Sequence, residues 1–219
     1  ALRRLEDAER EGDRIHAVIR GIGAGSDGRA KSVYAPLASG QARTLRRAYE
    51  AAGYGPETVE LVEAHGTGTR AGDAAEFEGL REVFDAARGA RTAPGPWCAL
   101  GSLKSQIGHT KSAAGAAGLF KAVMAVNEGV LPPSIKIDAP NPKMRLKGSA
   151  FHLSTRTLPW VRGGDHPRRA SVSSFGFGGS NFHVAIEAPP RPAPRRNALP
   201  AEIVTLSAES VSSLQDKLR

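Results

Sequence analysis

Two histidines and one lysine lie in glycine-rich segments that each follow a short apolar run. His65 begins the segment 65–69, and Lys104 and His109 lie within the segment 101–115. Catalytic groups of α/β proteins commonly occupy such loops, at the carboxyl ends of strands. A single histidine is usually structural, but two in matching strand–loop positions favour catalysis, in which a neutral imidazole can donate a hydrogen bond.

The elements around these residues are predicted to be short buried strands followed by helices. Residues 59–64 and 97–100 are typical of strands, and helices are predicted over 74–87, with Asp73 as the cap, and over 112–127. A third glycine-rich segment, 174–181, lies between two further predicted strands. The other predicted helices end near 11 or cover 41–52 and 209–218. The other predicted strands cover 14–21, 151–154, 170–175, 182–187 and 203–207.

Glycine also marks two segments that we interpret structurally. Residues 21–28 imitate a dinucleotide-binding fingerprint, but the third glycine is misplaced and no helix begins directly after it. We therefore predict a flexible loop there. The helix at 112–127 begins almost entirely with alanine and glycine, and each glycine would weaken an isolated helix by about 1 kcal/mol. We therefore expect this helix to lie at the centre of the fold, buried on all sides.

Composition narrows the classes of function. The chain has 219 residues, a net charge of +8 from 30 basic and 22 acidic residues, and one cysteine. The basic residues are scattered and aromatics are few, so nucleic-acid binding is not expected, and no apolar run reaches the roughly 18 residues of a membrane span. The single cysteine excludes a disulfide framework and a multi-cysteine metal site, and it suits a reducing cytoplasm. The start at Ala1, with neither Met nor a secretion signal, indicates an excised piece.

Three motifs, in order along the chain, resemble those of the β-ketoacyl synthase family. They are His65-Gly66-Thr67-Gly68-Thr69, then Lys104 with Gly108-His109-Thr110, and then Phe175-Gly176-Phe177-Gly178-Gly179-Ser180-Asn181. The similarity is greatest to the ketosynthase domains of polyketide synthases, and it covers only the C-terminal half of such a domain. It implies the α/β thiolase-like fold, and it places the nucleophilic cysteine of the family before Ala1.

The resemblance implies an acyltransferase that catalyses a decarboxylative Claisen condensation. A malonyl-type unit on an acyl carrier protein would lose carbon dioxide, and the resulting enolate would attack an acyl thioester on the cysteine. His65 and His109 would donate hydrogen bonds to the enolate oxygen, which needs neutral donors that are fixed in place. The N-terminal end of the following helix would keep His109 neutral. Lys104 would pair with Asp73 or Glu76, because a lysine beside a buried strand must be paired or neutralised.

The resemblance also assigns the remaining site residues. Thr67 and Thr69 would bind the phosphopantetheine arm of the carrier protein, although their hydroxyls could instead bond their own backbone. No directly bound cofactor or metal is implied. The backbone N–H of Phe177 would complete the thioester oxyanion hole, and its ring would gate the pocket. Gly118 stands where many members have a glutamate. The other residues assigned to the site are Phe175 and Gly178 for substrate binding and Asn181 in support.

The resemblance divides the chain into three parts. Residues 1–188 would be the C-terminal half of a ketosynthase, 189–200 a linker rich in Pro and Arg, and 201–219 the start of the linker domain that follows. The expected partners are acyl carrier protein, the N-terminal half of the ketosynthase and a second copy in a homodimer of the intact parent. Two other interpretations remain open: a non-catalytic ketosynthase-like partner of the chain-length-factor type, and a basic interaction domain without enzymatic activity.

Cys98 is not expected to be the nucleophile. It lies in the predicted strand 97–100 and not at a helix N-terminus, which would lower the pKa of its thiol. The chain alone is therefore expected to be inactive. Without the first half, one side of the helix at 112–127 would be an open apolar patch, so the chain alone is also expected to aggregate or to seek a partner.

Overall fold

The computed structural model describes residues 1–28, 35–90, 95–161, 165–190, 206 and 208–218. Short 3₁₀ turns cover Pro56–Thr58, Arg88–Ala90, Lys111–Ala113 and Pro142–Met144. The helices are α1 (Leu5–Arg10), α2 (Ala38–Ala52), α3 (Arg70–Ala87), α4 (Lys104–Ile107), α5 (Ala114–Glu128) and α6 (Val211–Leu218). The strands are β1 (Val18–Ser26), β2 (Leu61–Glu63), β3 (Cys98–Gly101), β4 (Val130–Leu131), β5 (Phe151–His152), β6 (Leu158–Pro159), β7 (Arg169–Gly176) and β8 (Ser180–Glu187).

Six strands form one mixed sheet in the order β1-β8-β7-β2-β3-β5. The strands from β7 to β5 are parallel to one another, whereas β8 runs antiparallel between β7 and β1. β4 and β6 form a separate antiparallel pair. Parallel neighbours end on the same side, so the carboxyl ends of β2, β3 and β7 meet at one edge of the sheet. The predicted α/β class is confirmed.

Helices cover both faces of this sheet and form two separate buried clusters. α2 and α3 pack on one face, where Leu45, Phe77 and Phe84 belong to the first cluster. α5 packs on the other face, where Ala122 and Val126 belong to the second. The sheet therefore lies between two helical layers, and the loops at its carboxyl edge connect both layers to the strands.

The glycine-rich segment 21–28 is not the flexible loop that its composition predicts. Most of it belongs to β1, which begins at Val18 and pairs with β8 along its length. A Cβ atom on Gly21 would lie 2.2 Å from the carbonyl oxygen of Ala48, and one on Gly23 would lie 2.0 Å from that of Thr44. Alternate glycines therefore let α2 rest directly on the strand backbone. The prediction was wrong because glycines contribute no apolar side chain to the alternation that reveals a strand.

Helix α5 is buried along one side only in this chain, so the other half of the predicted all-round burial is not supplied by the described residues. Phe120 is 67% exposed on the open side. The buried residues of this helix are Gly118, Ala122, Ala125 and Val126. The small residues do serve close packing, because a Cβ atom on Gly118 would lie 3.3 Å from a methyl carbon of Val172 in β7. An open apolar side is what we expected of this chain taken alone.

The C-terminal part is described incompletely. α6 lies within the helix predicted at the end of the chain. Most of the predicted linker at 189–200 lies outside the described residues, as does all but residue 206 of the strand predicted over 203–207. The predicted boundaries at 188 and 200 stay predictions. Within the described ranges, no helix is long and apolar enough to cross a membrane.

Candidate active site

Glu76 fixes the backbone of the loop that carries His65. Its carboxyl oxygens accept hydrogen bonds from the N–H groups of His65, at 2.7 Å, and Gly66, at 2.9 Å. Glu76 is only 5% exposed, and burial raises the pKa of its carboxyl to about 7 in spite of the two backbone donors. This doubly accepting carboxyl gives His65 a defined position at the carboxyl end of β2.

The helix after this loop is capped by a residue other than the predicted one. α3 begins directly after Thr69, whose hydroxyl caps it by accepting the N–H of Gly72 at 3.2 Å. Asp73, the predicted cap, accepts the N–H of Gly68 at 3.1 Å instead. The hydroxyls of Thr67 and Thr69 are 3.1 Å apart. α3 thus begins earlier than predicted, and the acceptor oxygens of Thr69 and Asp73 both stabilise the segment that joins His65 to this helix.

The backbone around His109 determines which of its ring nitrogens can donate. Its Nδ1 accepts the N–H of Lys111 at 2.9 Å. Lys111 has a φ of 56°, in the left-handed region that residues other than glycine seldom adopt. An accepting Nδ1 leaves the proton of a neutral imidazole on Nε2, which can then donate to a ligand. By contrast, Nδ1 of His65 is buried and has no hydrogen-bond partner among the described residues.

His65 and His109 face each other across one cavity. Their ring centroids are 5.7 Å apart with an interplanar angle of 84°, and the ring of Phe175 lies 6.0 Å from that of His65. The cavity has a volume of about 720 Å³. The predicted site residues that line it are His65, Thr67, Thr69, Glu76, His109, Phe175, Phe177 and Asn181. The three glycine-rich loops, which are far apart in the sequence, therefore meet at one place.

Both imidazoles are held in the neutral state. Burial lowers the pKa of His65 to about 4, and repulsion from Lys104, and from His109 when that ring is protonated, acts in the same direction. The pKa of His109 is also lowered from its usual value, first by desolvation and then by the charges of Lys104 and Lys111. Near pH 7 each ring therefore has one N–H to donate and carries no charge.

Lys104 acts electrostatically on both histidines but does not line the cavity that they share. With Asp73 it lines a second cavity of about 710 Å³. Burial lowers the pKa of its ammonium group, and the negative charges of Glu76 and Glu63 oppose that shift. Among the described residues, Lys104 forms no ion pair with Asp73 or Glu76, whose carboxyl groups accept backbone N–H groups.

Glu63, a buried carboxylate at the end of β2, was not among the residues predicted for the site. Glu63 is 2% exposed, and one of its oxygens accepts the N–H of Leu103 at the start of the Lys104 loop. The other oxygen lies 2.8 Å from Nζ of Lys121 in α5. A Cβ atom on Gly118 would lie 3.2 Å from Cγ of Glu63. The sequence signal for this role was the presence of Glu60 and Glu63 within the apolar run 59–64, since a charge on a buried strand must have a partner.

The turn between β7 and β8 brings the third motif to the cavity. Phe175 is 8% exposed, whereas Phe177, at the tip, is 86% exposed. Gly178 and Gly179 have φ values of 85° and 76°, which glycine adopts without the steric cost that other residues would have. Asn181, which is 1% exposed, follows the turn at the start of β8. Phe177 therefore lies at the tip of a turn that lines the same cavity as the two histidines.

Cys98 lies where the sequence predicted it. It is fully buried in β3, which agrees with a small core residue rather than an activated thiol. Within the part of the chain that the structure describes, no cluster of three or more His, Cys, Asp or Glu side chains is arranged to hold a metal ion.

Comparisons with known proteins identify the family of this chain. The family model "Beta-ketoacyl synthase, C-terminal domain" matches residues 16–138, and "Ketoacyl-synthetase C-terminal extension" matches residues 140–219. A polyunsaturated fatty acid synthase polypeptide of Thraustochytrium sp. is 45% identical over 97% of this chain and 8% of its own length. A phenolphthiocerol/phthiocerol polyketide synthase polypeptide of Mycobacterium tuberculosis is 43% identical over 97% of this chain and 14% of its own.

The fold is similar to that of solved ketosynthases. The ketosynthase from module 6 of the bacillaene synthase of Bacillus subtilis 168 superposes with a TM-score of 0.79 and 41% identity, over 85% of this chain and 33% of that one. The chain thus spans about a third of this solved ketosynthase, and a far smaller share of the two synthases. The thiolase-like α/β fold is therefore confirmed, and the chain belongs to the β-ketoacyl synthase family, of which it carries the C-terminal domain.

Proposed function

We propose that this chain supplies the two-histidine part of an active site for decarboxylative Claisen condensation. The observation that carries the proposal is the pair formed by His65 and His109, two neutral imidazoles 5.7 Å apart on one cavity. A neutral donor can stabilise developing negative charge on oxygen without first giving up its proton.

The reaction needs such donors when the malonyl-type unit loses carbon dioxide. The electron pair of the broken C–C bond then forms an enolate, whose oxygen would accept Nε2–H of His109 and one ring N–H of His65. The enolate carbon next attacks the carbonyl carbon of an acyl thioester, and the thiolate leaves as the new C–C bond forms. The cysteine that holds this thioester would come from the N-terminal half of the ketosynthase.

The other loops would position the two substrates. We assign the phosphopantetheine arm of the carrier protein to the cavity wall at Thr67 and Thr69, whose hydroxyls lie on the loop that carries His65. The backbone N–H of Phe177 is assigned to the oxygen of the thioester. Lys104 acts through its charge, which adds to the effect of burial in lowering the pKa of both histidines.

The partners follow from this reaction. The proposal requires an acyl carrier protein, and the net charge of +8 suits an acidic carrier surface. It also requires the N-terminal half of the ketosynthase, in a cytoplasmic parent protein that forms a homodimer. Relatives that are polyketide and polyunsaturated fatty acid synthases support this setting.

The test uses the intact ketosynthase that contains this chain. His65→Ala and His109→Ala are each expected to abolish condensation while leaving carrier-protein binding unchanged, with a loss of about 3 kcal/mol or more in transition-state stabilisation. His166→Ala, which changes a histidine near the start of β7, is the control and should keep normal activity. Condensation and carrier binding are measured separately, by product formation and by titration.

Near-normal condensation in either active-site variant would overturn the proposal. Absence of condensation in the unaltered ketosynthase would instead favour the non-catalytic ketosynthase-like partner.

A further inference from the structure

Asp27 connects three segments at the edge of the active-site cavity. It directly follows β1, and its backbone N–H donates to the carbonyl oxygen of Gly179 at 2.9 Å. Its Oδ1 accepts Nδ2–H of Asn181 at 2.7 Å, and its Oδ2 accepts the N–H of Leu37 at 3.3 Å. One residue therefore holds together the end of β1, the turn between β7 and β8, and the residue before α2.

The surrounding backbone comes close enough to Asp27 that side chains are excluded. A Cβ atom on Gly179 would lie 2.8 Å from Cβ of Asp27, and one on Gly40 would lie 2.1 Å from its Oδ1. Asn181 is 1% exposed, so its amide group depends on protein partners rather than on water. The contact of Asp27 with Gly179, Asn181 and Leu37, which we call the joint, is thus closely packed and leaves little room for alternative positions.

We propose that Asp27 is a positioning residue that fixes the Phe177 turn relative to the two histidines. Asp27, Phe177, Gly179 and Asn181 all line the cavity that His65 and His109 share. The turn between β7 and β8 is tied to Asp27 at two points after its tip, at Gly179 through the backbone and at Asn181 through the side chain. The consequence for catalysis rests on the proposed function, whereas the joint itself does not.

The chemistry of the joint requires a carboxylate at position 27. Both of its side-chain neighbours are donors: an amide N–H of Asn181 and the backbone N–H of Leu37. In Asp27→Asn one oxygen is replaced by an NH₂ group, so one of the two donors would face another donor. Combining Asp27→Asn with Asn181→Asp restores the complement. The amide introduced at position 27 can accept from Leu37 through its oxygen and donate to the carboxylate introduced at position 181.

Hydrogen exchange measured on the intact ketosynthase tests the joint without reference to activity. Asp27→Asn is expected to raise the exchange rate of the amides in peptides covering 177–181 about tenfold, which corresponds to about 1.4 kcal/mol of lost protection. The reciprocal pair should return it to the original rate. Arg47→Ala is the matched control, because Arg47 donates to Ala24 on the same strand at 2.7 Å and makes no contact that the proposal uses.

Unchanged exchange at 177–181 in Asp27→Asn, or no recovery in the reciprocal pair, would overturn the joint. If Asp27→Asn does not fold, Asn181→Ala serves the same comparison, since it removes only the side-chain donor. In that case normal exchange at 177–179 would be the contradicting result.

Kinetics of the intact ketosynthase then test the consequence for catalysis. Asp27→Asn should lower kcat at least tenfold with little change in KM for the carrier-bound substrate, and the reciprocal pair should recover most of it. Faster exchange at the turn without a fall in kcat would overturn the positioning role. If the unaltered enzyme does not condense at all, the proposed function fails, and the exchange experiment still decides whether the joint exists.

Discussion

At the scale of the residue, burial and the charges beside the histidines together determine the state in which they act. Desolvation is the largest cause of the lowered pKa of both rings, and the charge of Lys104 is the next. Only part of each shift therefore depends on a charge that mutation can remove. The rings differ in their hydrogen bonds, because Nδ1 of His109 accepts the N–H of Lys111, whereas Nδ1 of His65 has no partner among the described residues.

Lys104→Met removes a positive charge next to both rings, so the pKa of each histidine should rise. His65 should remain well below the usual value of about 6.5, because burial is the largest cause of its shift from that value to about 4. NMR titration of protein labelled with ¹⁵N at histidine measures both rings. Lys147→Met, on an exposed part of the chain, is the control, and equal histidine pKa values in all three proteins would contradict the electrostatic role of Lys104.

Glu63 and Lys121 form a buried ion pair, with side chains 3% and 9% exposed. Removing one partner leaves an unpaired buried charge, so Glu63→Gln should lower the free energy of unfolding by about 3–5 kcal/mol. The double variant with Lys121→Met should lose less than the sum of the single changes, because neither charge then remains buried. Denaturant unfolding provides the measurement.

The exposed pair formed by Arg46 and Glu82 is the control for that cycle. Their side chains are 49% and 46% exposed, and Glu82→Gln should cost no more than about 1 kcal/mol. If the two glutamate variants lose equal stability, burial is not what makes the Glu63 pair important.

At the scale of the element, the packing of α2 on β1 holds one side of the cavity that the two histidines share, which Asp27 and Gln41 line. The alternate glycines of β1 let α2 approach the backbone of the strand, and side chains of α2 donate hydrogen bonds to that backbone. Arg47 donates to the carbonyl oxygen of Ala24, and Arg43 donates to that of Ser26. Asp27 follows this strand directly, and its own bonds to Asn181, Leu37 and Gly179 involve neither arginine.

Gly23→Ala should destabilise the fold strongly, because its Cβ atom would lie 2.0 Å from the carbonyl oxygen of Thr44. Overpacking against side chains costs about 1–3 kcal/mol, and we expect at least the upper value here because a helix backbone must move. Gly89→Ala is the matched control, since nothing lies within 4 Å of its added methyl group. Thermal unfolding compares the two, and equal transition temperatures would contradict direct contact between helix and strand.

At the scale of the whole molecule, the sequence predicted the residues of the site better than the way they are held. His65, His109 and Phe177 could be placed at one edge because polar loops that follow buried strands meet there. The acidic residues in the run 59–64 indicated that Glu63 needs a partner, but that partner could not be foreseen, since Lys121 lies on a different element. The order of the strands in the sheet could not be predicted either. Long crossovers separate parallel neighbours along the chain, so local sequence patterns do not show which strands pair.

The open side of α5 links the fold to the expected behaviour of the isolated chain. Phe120 is 67% exposed there, and Ile107, the last residue of α4, is 60% exposed. The helix is also rich in small residues along its length, which suits close approach by another packed surface. Large exposed apolar side chains on such a helix are typical of a surface that another protein surface covers.

The 219-residue chain by itself should therefore form no β-ketoacyl product and should self-associate. Condensation requires a thiolate that holds the acyl group while the second substrate enters, and the only thiol in the chain, Cys98, is fully buried in β3. The histidines can stabilise an enolate, but they cannot replace that nucleophile. The test incubates the chain with a radiolabelled acyl thioester and a malonyl-carrier substrate, with Cys98→Ser as the control for thiol acylation and light scattering as the measure of association. A monomer that becomes acylated at Cys98 and releases a β-ketoacyl product would contradict both expectations, because it would show an accessible thiol and a site that is complete within this chain.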